Sequence, residues 1–345
     1  MSFRFQHHIL HFNRPAKTSR DVLETRDVYY LRATSEDSLV FGFGECAPIW
    51  GLSTESKAEV ERAIADFDQL VKNPIELRSI MLKIPSLRFA LETALYDLAN
   101  GGIMKPFSED LTKPIPINGL VWMADIKTML GECRSKIEQG FTTVKFKIGS
   151  HDFQEELDML KQVRREYNND DLEIRLDANG AFGVTECLEK LDRLSMLYPH
   201  SIEQPIRAGQ WQALTEICSR SPIPIALDEE LIGVHEIAQK KNLLDTINPN
   251  YLVLKPTLHG GFSGSDEWIA LAEERSIGWW ATSALESNVG LNAIAQWVLT
   301  KNVTLPQGLG TGGLFSNNIA SPWVVANGQL KYDANLKWNL KPISV

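Results

Sequence analysis

Val144-Lys145-Phe146-Lys147-Ile148 is the first of five short apolar runs that carry or close on a charged residue. Ile174-Arg175-Leu176-Asp177, Ser201-Ile202-Glu203, Ile225-Ala226-Leu227-Asp228 and Leu252-Val253-Leu254-Lys255 follow it. The charged row Lys147, Asp177, Glu203, Asp228 and Lys255 is spaced at 30, 26, 25 and 27 residues. A strand–loop–helix–loop unit takes about 25–30 residues, so five units in register bring three carboxylates and two lysines to one rim. That is the layout of a (β/α)8 barrel, in which reactive side chains gather at the C-terminal ends of the strands.

Working outward, alternating strand and helix begin at residue 115. Candidate strands fall at 115–121, 143–148, 173–178, 200–203, 223–227, 251–255, 278–283 and 304–307. Helical periodicity lies between them, as at 153–166 and 184–197. Strands separated by helices pair in parallel through right-handed crossovers. No helix is legible after the eighth strand, where the chain reads Gly308-Leu309-Gly310-Thr311-Gly312-Gly313. The barrel is therefore expected in a modified, TIM-like (β/α)7β form over 111–315. Upstream, 3–12, 27–34 and 39–45 read as a three-stranded antiparallel sheet. Thr54-Glu55-Ser56-Lys57 reads as a helix start before 57–71, and Pro85-Ser86-Leu87-Arg88 opens a helix closed by Gly101-Gly102. These elements make an α+β capping domain over 1–110. The C-terminal segment 316–345, with a hairpin-like stretch at 323–332, is expected to return to that domain.

The chain has 345 residues, 43% of them apolar, and a net charge of −9. That apolar share supplies a large core, and the acidic surface argues against nucleic acid and anionic membrane as partners. A small-molecule carboxylate substrate then requires local cations or a metal. Cys46, Cys133, Cys187 and Cys218 form no Cys-x-x-Cys pair and read as reduced structural thiols. With no apolar signal core near Met1, the expected location is the cytoplasm. Oligomeric state is not legible in the sequence.

Lys145 and Lys147 stand at i and i+2, on one face of a strand. Burying both is costly, and the pair reads equally well as the solvated edge of a sheet. Asp177-Ala178-Asn179-Gly180 alone is turn chemistry. Glu203, closing an apolar strand before Gln204-Pro205, is not a common turn, and Asp228-Glu229 repeats the theme one unit on. Three carboxylates from successive strand ends suit a hard divalent cation such as Mg2+. No histidine stands at a matching position, which argues against Zn2+ or a two-histidine iron site. A metal flanked by Lys147 and Lys255 suggests proton abstraction next to a carboxylate, with the cation stabilising the enediolate.

On these motifs the chain resembles the enolase superfamily, in its muconate-lactonizing-enzyme subgroup. The residues that carry the resemblance are Lys145-x-Lys147, Asp177-Ala178-Asn179, Glu203-Gln204-Pro205, Asp228-Glu229 and Lys255. Gly42-Phe43-Gly44-Glu45 and Ser283-Ala284-Leu285-Glu286-Ser287 add to it. Sites of this superfamily pair a lysine or histidine base with Mg2+. The resemblance implies Asp177, Glu203 and Asp228 as ligands of Mg2+, with Mn2+ as a substitute. It implies Lys147 as base, Lys255 on the opposite face and Lys145 as a third catalytic lysine. Glu229 is expected to point away from the side of the strand that Asp228 occupies. A loop around Trp50 and Leu52 would cap the site and exclude water.

Three activities compete within the subgroup: o-succinylbenzoate synthesis on the route to menaquinone, dipeptide epimerisation and muconate cycloisomerisation. Racemisation of N-acylamino acids is also compatible with two opposed lysines. Dipeptide epimerases carry Asp-x-Asp near the end of strand eight, and Gln307-Gly308-Leu309-Gly310-Thr311-Gly312 holds no acid. The Ser283–Ser287 segment and the turn at Gly308 look more like synthases that seat a succinyl carboxylate with hydroxyl and backbone N–H groups. The expected reaction is thus a dehydration by a carbon–oxygen lyase, acting on 2-succinyl-6-hydroxy-2,4-cyclohexadiene-1-carboxylate. Trp50, Asn179, Ser283 and Gly308 are the expected substrate contacts.

Overall fold

A computed structural model describes residues 1–17, 22–37, 39–107 and 110–343. Strands β1 (Ser2–Lys17), β2 (Val22–Thr34) and β3 (Phe41–Cys46) form the antiparallel sheet that the alternation predicts, in the order β1-β2-β3. Four helices follow: α1 (Lys57–Ala65), α2 (Phe67–Leu70), α3 (Pro74–Lys83) and α4 (Pro85–Ala99). Ser56 and Glu59 form a reciprocal capping box at the start of α1. The helix expected over 57–71 breaks at Asp66, and Phe67 turns inward against Phe3 and Phe5, at ring-centroid distances of 5.3 and 5.0 Å. Helix α4 lies directly on β3. A Cβ at Gly44 would sit 2.0 Å from the Ala90 carbonyl oxygen, so Gly42-Phe43-Gly44 is a docking surface for backbone.

The expected strand 115–121 divides into β4 (Ile115–Pro116) and β5 (Gly119–Val121). The alternation then runs α5 (Ile126–Glu138), β6 (Thr143–Lys147), α6 (Phe153–Glu166), β7 (Glu173–Asp177), α7 (Val184–Ser195) and β8 (Ser201–Glu203). It continues as α8 (Trp211–Arg220), β9 (Ile225–Leu227), α9 (Ile237–Ile247), β10 (Tyr251–Leu254), α10 (Gly261–Glu273), β11 (Gly278–Ala281) and α11 (Asn288–Leu299). Strands β5 to β11 make one seven-stranded parallel sheet in sequence order. Closure comes from two parallel bridges, Ile117–Gln307 and Thr282–Gly308, so the eighth strand is reduced to its last residues. The Gln307 side chain accepts the Ala281 N–H at 2.7 Å and seals the seam. Alternation sorts the strand residues: Val144, Phe146, Leu176 and Ile202 join the large core. Ala226, Val253 and Trp280 form a separate cluster, as strand neighbours pointing to the other face require.

The tail meets both domains. Strands β12 (Trp323–Ala326) and β13 (Gln329–Tyr332) form the hairpin, but β13 pairs with β4 at the entrance to the barrel and not with the capping sheet. Hairpin alternation does not name a partner; Ile115–Pro116, left outside the parallel ladder, is the free edge that accepts it. The flanking stretches do reach β1, through a Phe12–Phe315 bridge and the Gln6 side chain on the Pro342 carbonyl at 2.8 Å. The four cysteines are free, and no helix among the described residues is long and apolar enough to cross a membrane.

Two acids of the cap sit on helix N-termini of the barrel. Glu45 accepts the Ser287 and Gly290 N–H groups, both at 2.7 Å, at the start of α11. Glu92 accepts the Phe262 N–H at 2.7 Å and the Ser263 N–H at 3.2 Å in α10. Helix N-termini favour a carboxylate. Burial is the larger influence on Glu45 and pushes its carboxyl up from 4.5 to about 7, against the Ser287 hydroxyl and N–H. The folded state therefore holds this proton more tightly than the unfolded chain. Its stabilising contribution is full below pH 4.5 and is lost as pH rises through about 7. In thermal melts, Glu45→Gln is expected to compare more favourably with wild type at about pH 8 than at about pH 5. An equal difference at both pH values removes Glu45 as the titrating group.

Candidate active site

Strand register builds the site. Lys147, Asp177 and Glu203 are direct neighbours across β6, β7 and β8, and Asp228 and Lys255 follow the last residues of β9 and β10. Lys145 Nζ lies 2.5 Å from Glu203 Oε2 and 2.9 Å from Asp177 Oδ2. Lys147 Nζ lies 3.0 Å from Asp177 Oδ2 and 2.7 Å from Asn179 Oδ1. Lys255 Nζ lies 2.6 Å from Asp228 Oδ2. The side chains of Lys145 and Lys147 are each 11% exposed, so the solvated-edge reading of the pair does not hold.

Asn179 takes a left-handed conformation (φ 43°), with its N–H on Asp177 Oδ1 at 3.1 Å. Its Nδ2 donates to Glu229 Oε1 at 3.0 Å. Glu229 was expected to point away; it faces the site because the chain after Asp228 turns into a 3-10 segment over Glu229–Leu231. Strand alternation stops at that point.

Burial dominates the electrostatics, and the charged neighbours decide the outcome. Burial pushes the Glu203 carboxyl up to about 7 against the pull of Lys145, with Asp177 and Asp228 adding repulsion. Burial also opposes ionisation of Asp177, but Lys145 and Lys147 outweigh it and hold this carboxyl well below the usual range. Lys145 and Lys255 are raised: burial would lower both, and their carboxylate neighbours override it. Three carboxylate oxygens of the cluster, Glu203 Oε1, Asp228 Oδ1 and Glu229 Oε2, are buried without a hydrogen-bond partner. An orphaned buried acceptor costs about 1–3 kcal/mol, and hard oxygen donors are what a small divalent cation takes. The residues therefore fit such an ion in donor type. Among the described residues no three Asp, Glu, His or Cys groups already converge as a cage. The ammonium groups of Lys145 and Lys255 lie on these carboxylates instead.

A cavity of about 620 Å³ runs between this row and the cap. Trp50 lines it, but its indole N–H donates to Asp27 Oδ2 at 2.8 Å, so the ring alone is offered to a ligand. Ser283 lines it too. Its hydroxyl donates to the buried Glu286 at 2.6 Å and accepts the Leu285 N–H at 2.9 Å, so the expected hydroxyl donor for a substrate carboxylate is already engaged. Gly308 lines the strand-eight side, where a Cβ would fall 2.2 Å from Thr282 Oγ1 and force the closing bridge apart. Sequence reading missed Trp122, whose ring lies 5.8 Å from Lys147 Nζ. It stands one residue beyond β5, the strand-end position that marks the other site residues, but carries no charge to advertise it. Arg14 is absent from that reading as well, and no local signal places it at the cavity.

Known proteins agree with this geometry. Residues 128–334 match the sequence pattern of the "Enolase C-terminal domain-like" family. The chain is 40% identical to the o-succinylbenzoate synthase of Desulfotalea psychrophila, over 96% of this chain and 98% of that one. The crystal structure of MenC from Desulfotalea psychrophila superposes with a TM-score of 0.85 at 38% identity, covering 96% of this chain and 99% of that one. The muconate lactonizing enzyme of Pseudomonas fluorescens shares the fold, with a TM-score of 0.83 at 21% identity over 99% and 97% of the two chains. A barrel with its charged row at the strand ends and an α+β cap over it, matched along nearly its whole length, belongs to the enolase superfamily, in the muconate-lactonizing-enzyme subgroup.

Proposed function

We propose that this protein is an o-succinylbenzoate synthase, a hydro-lyase that dehydrates 2-succinyl-6-hydroxy-2,4-cyclohexadiene-1-carboxylate to 2-succinylbenzoate on the route to menaquinone. The observation that carries this reading is the 40% identity, over 96% of the chain, to the o-succinylbenzoate synthase of Desulfotalea psychrophila. The buried lysine–carboxylate row is consistent with it, and the four free cysteines suit a cytoplasmic setting.

Asp177, Glu203 and Asp228 would hold a divalent cation, Mg2+ with Mn2+ as a substitute. Bound there, that ion supplies positive charge to the ring carboxylate as negative charge develops on it. The protein's own residues do the rest. Lys147 takes the proton from the carbon bearing the ring carboxylate, and Asn179, 2.7 Å away, keeps its Nζ in line. The hydroxyl on the adjacent ring carbon departs from the same face and collects that proton from Lys147. One C–H and one C–O bond break, one ring double bond forms, and water leaves. Aromatisation supplies much of the driving force, so modest catalytic groups suffice. Lys255 places a cation on the opposite face of the ring, and the ring of Trp50 closes the cavity against water.

The test is direct. Protein stripped with a chelator is expected to leave the cyclohexadiene absorbance unchanged, and added Mg2+ to start its loss with formation of the aromatic product. Mg2+-loaded protein that spares this substrate, or that racemises N-acylamino acids in its place, would sink the synthase reading.

A further inference from the structure

The substrate of the proposed reaction carries two carboxylates, and the lysine–carboxylate row accounts for one. We propose that Arg14, on capping strand β1, holds the second, succinyl carboxylate; this rests on the synthase reading above.

The donors facing the cavity are largely engaged elsewhere. Trp50 donates to Asp27 and Ser283 to Glu286. Asn13 Nδ2 donates to the Gly313 carbonyl at 2.9 Å, and the Thr282 hydroxyl to the Gly308 carbonyl at 3.1 Å. Among the lining cations, Lys145, Lys147 and Lys255 are held on carboxylates deep in the barrel mouth. Lys136 lines the same cavity but lies over the Phe141 ring at 5.4 Å, near the end of α5 and ahead of β6. That is the foot of the barrel, opposite the end where Lys147 stands.

Among the described residues, Arg14 is the lining cation that remains. It is exposed, lines the cavity, and has no hydrogen bond or ion pair with any described residue. Its backbone is fixed beside the strand-eight turn: Phe12 bridges Phe315, and the Asn13 N–H donates to the Leu314 carbonyl at 2.9 Å. It also lies within the register shift of β1 between His11 and Ala16, the kind of irregularity that re-aims side chains. A guanidinium presents a planar fork of donors that matches a carboxylate. The cavity thus offers the cations of the row, the guanidinium of Arg14 and the apolar ring of Trp50 along one lining. A dicarboxylate with a ring at one end fits that lining.

The experiment compares wild type, Arg14→Gln and Arg14→Lys in Mg2+-dependent kinetics, with binding of 2-succinylbenzoate and of benzoate to each. Loss of a charge-assisted hydrogen bond is expected to raise KM by about 10- to 100-fold in Arg14→Gln, with kcat changed only a few-fold. Affinity for 2-succinylbenzoate should fall by a similar factor while that for benzoate stays level, and Arg14→Lys should recover part of the loss. Wild type that does not turn over the substrate refutes the synthase reading itself. Active wild type with unchanged KM in Arg14→Gln overturns the role of Arg14, as does an equal loss of benzoate binding. The hydroxyl of Thr311, buried without a partner on the same lining, is the rival neutral donor. A raised KM in Thr311→Val but not in Arg14→Gln overturns the proposal in favour of the strand-eight end.

Discussion

Lys147→Ala is expected to lower turnover of the cyclohexadiene substrate by about 10²–10⁴-fold or more, because in the proposed mechanism one amine both removes the proton and returns it to the departing hydroxyl. The rest of the row keeps its partners. Asp177 retains Lys145 at 2.9 Å, and Glu203 and Asp228 never touch Lys147. Melting temperature and the affinity for Mg2+, followed by calorimetry, should therefore change little. Asn179 loses the ammonium at 2.7 Å but keeps Glu229 and Asp177. Near-normal turnover in the variant removes Lys147 from the base role. Loss of Mg2+ affinity in step with turnover would instead make it a support of the cation site.

Lys145→Met acts on stability first. Among the described residues, Lys145 is the sole hydrogen-bond partner of the Glu203 carboxylate, whose other oxygen is already orphaned and whose side chain has no exposed surface. Removing one member of a buried ion pair costs about 3–5 kcal/mol, since the survivor stays buried and unpaired. For a chain of this size that corresponds to a fall in melting temperature of roughly 4–7 °C without added metal. A divalent cation has the reverse effect. Held by the proposed ligands, it would compete with the Lys145 ammonium for Glu203 and Asp177 in wild type; in the variant that competitor is gone. The gain in melting temperature on adding Mg2+ is thus expected to be larger in Lys145→Met than in wild type. Equal melting temperatures and equal gains would show that Lys145 is not what neutralises the row.

The row itself was legible because its causes are local. Strand alternation sets which residues share a face, and the length of a βα unit sets the interval between strand ends. Register then brings Lys147, Asp177 and Glu203 side by side with no further information. Local rules also produced what went astray. Glu229 was assigned by alternation, which ends where the chain leaves β9 for a 3-10 turn. Alternation marked 323–332 as a hairpin but not the edge it meets, which is β4, since alternation describes a strand and not its partner. Only the packed structure shows that the Ser283 hydroxyl donates to Glu286 three residues on.

By itself the sequence determined the barrel, its truncated last unit, the capping domain and the types of residue at each strand end, all set by periods of two and about 3.6 residues. Tertiary structure alone decided the pairings. Lys145 meets Glu203 across 58 residues, and Glu45 meets Ser287 across 242. Closure of the barrel and docking of the cap also bring Arg14 over a cavity whose other cations come from the far side of the chain. Such contacts depend on how whole elements pack, which no propensity of a short segment encodes. Which charges neutralise one another, and which one stays free for a ligand, is therefore a property of the assembled fold.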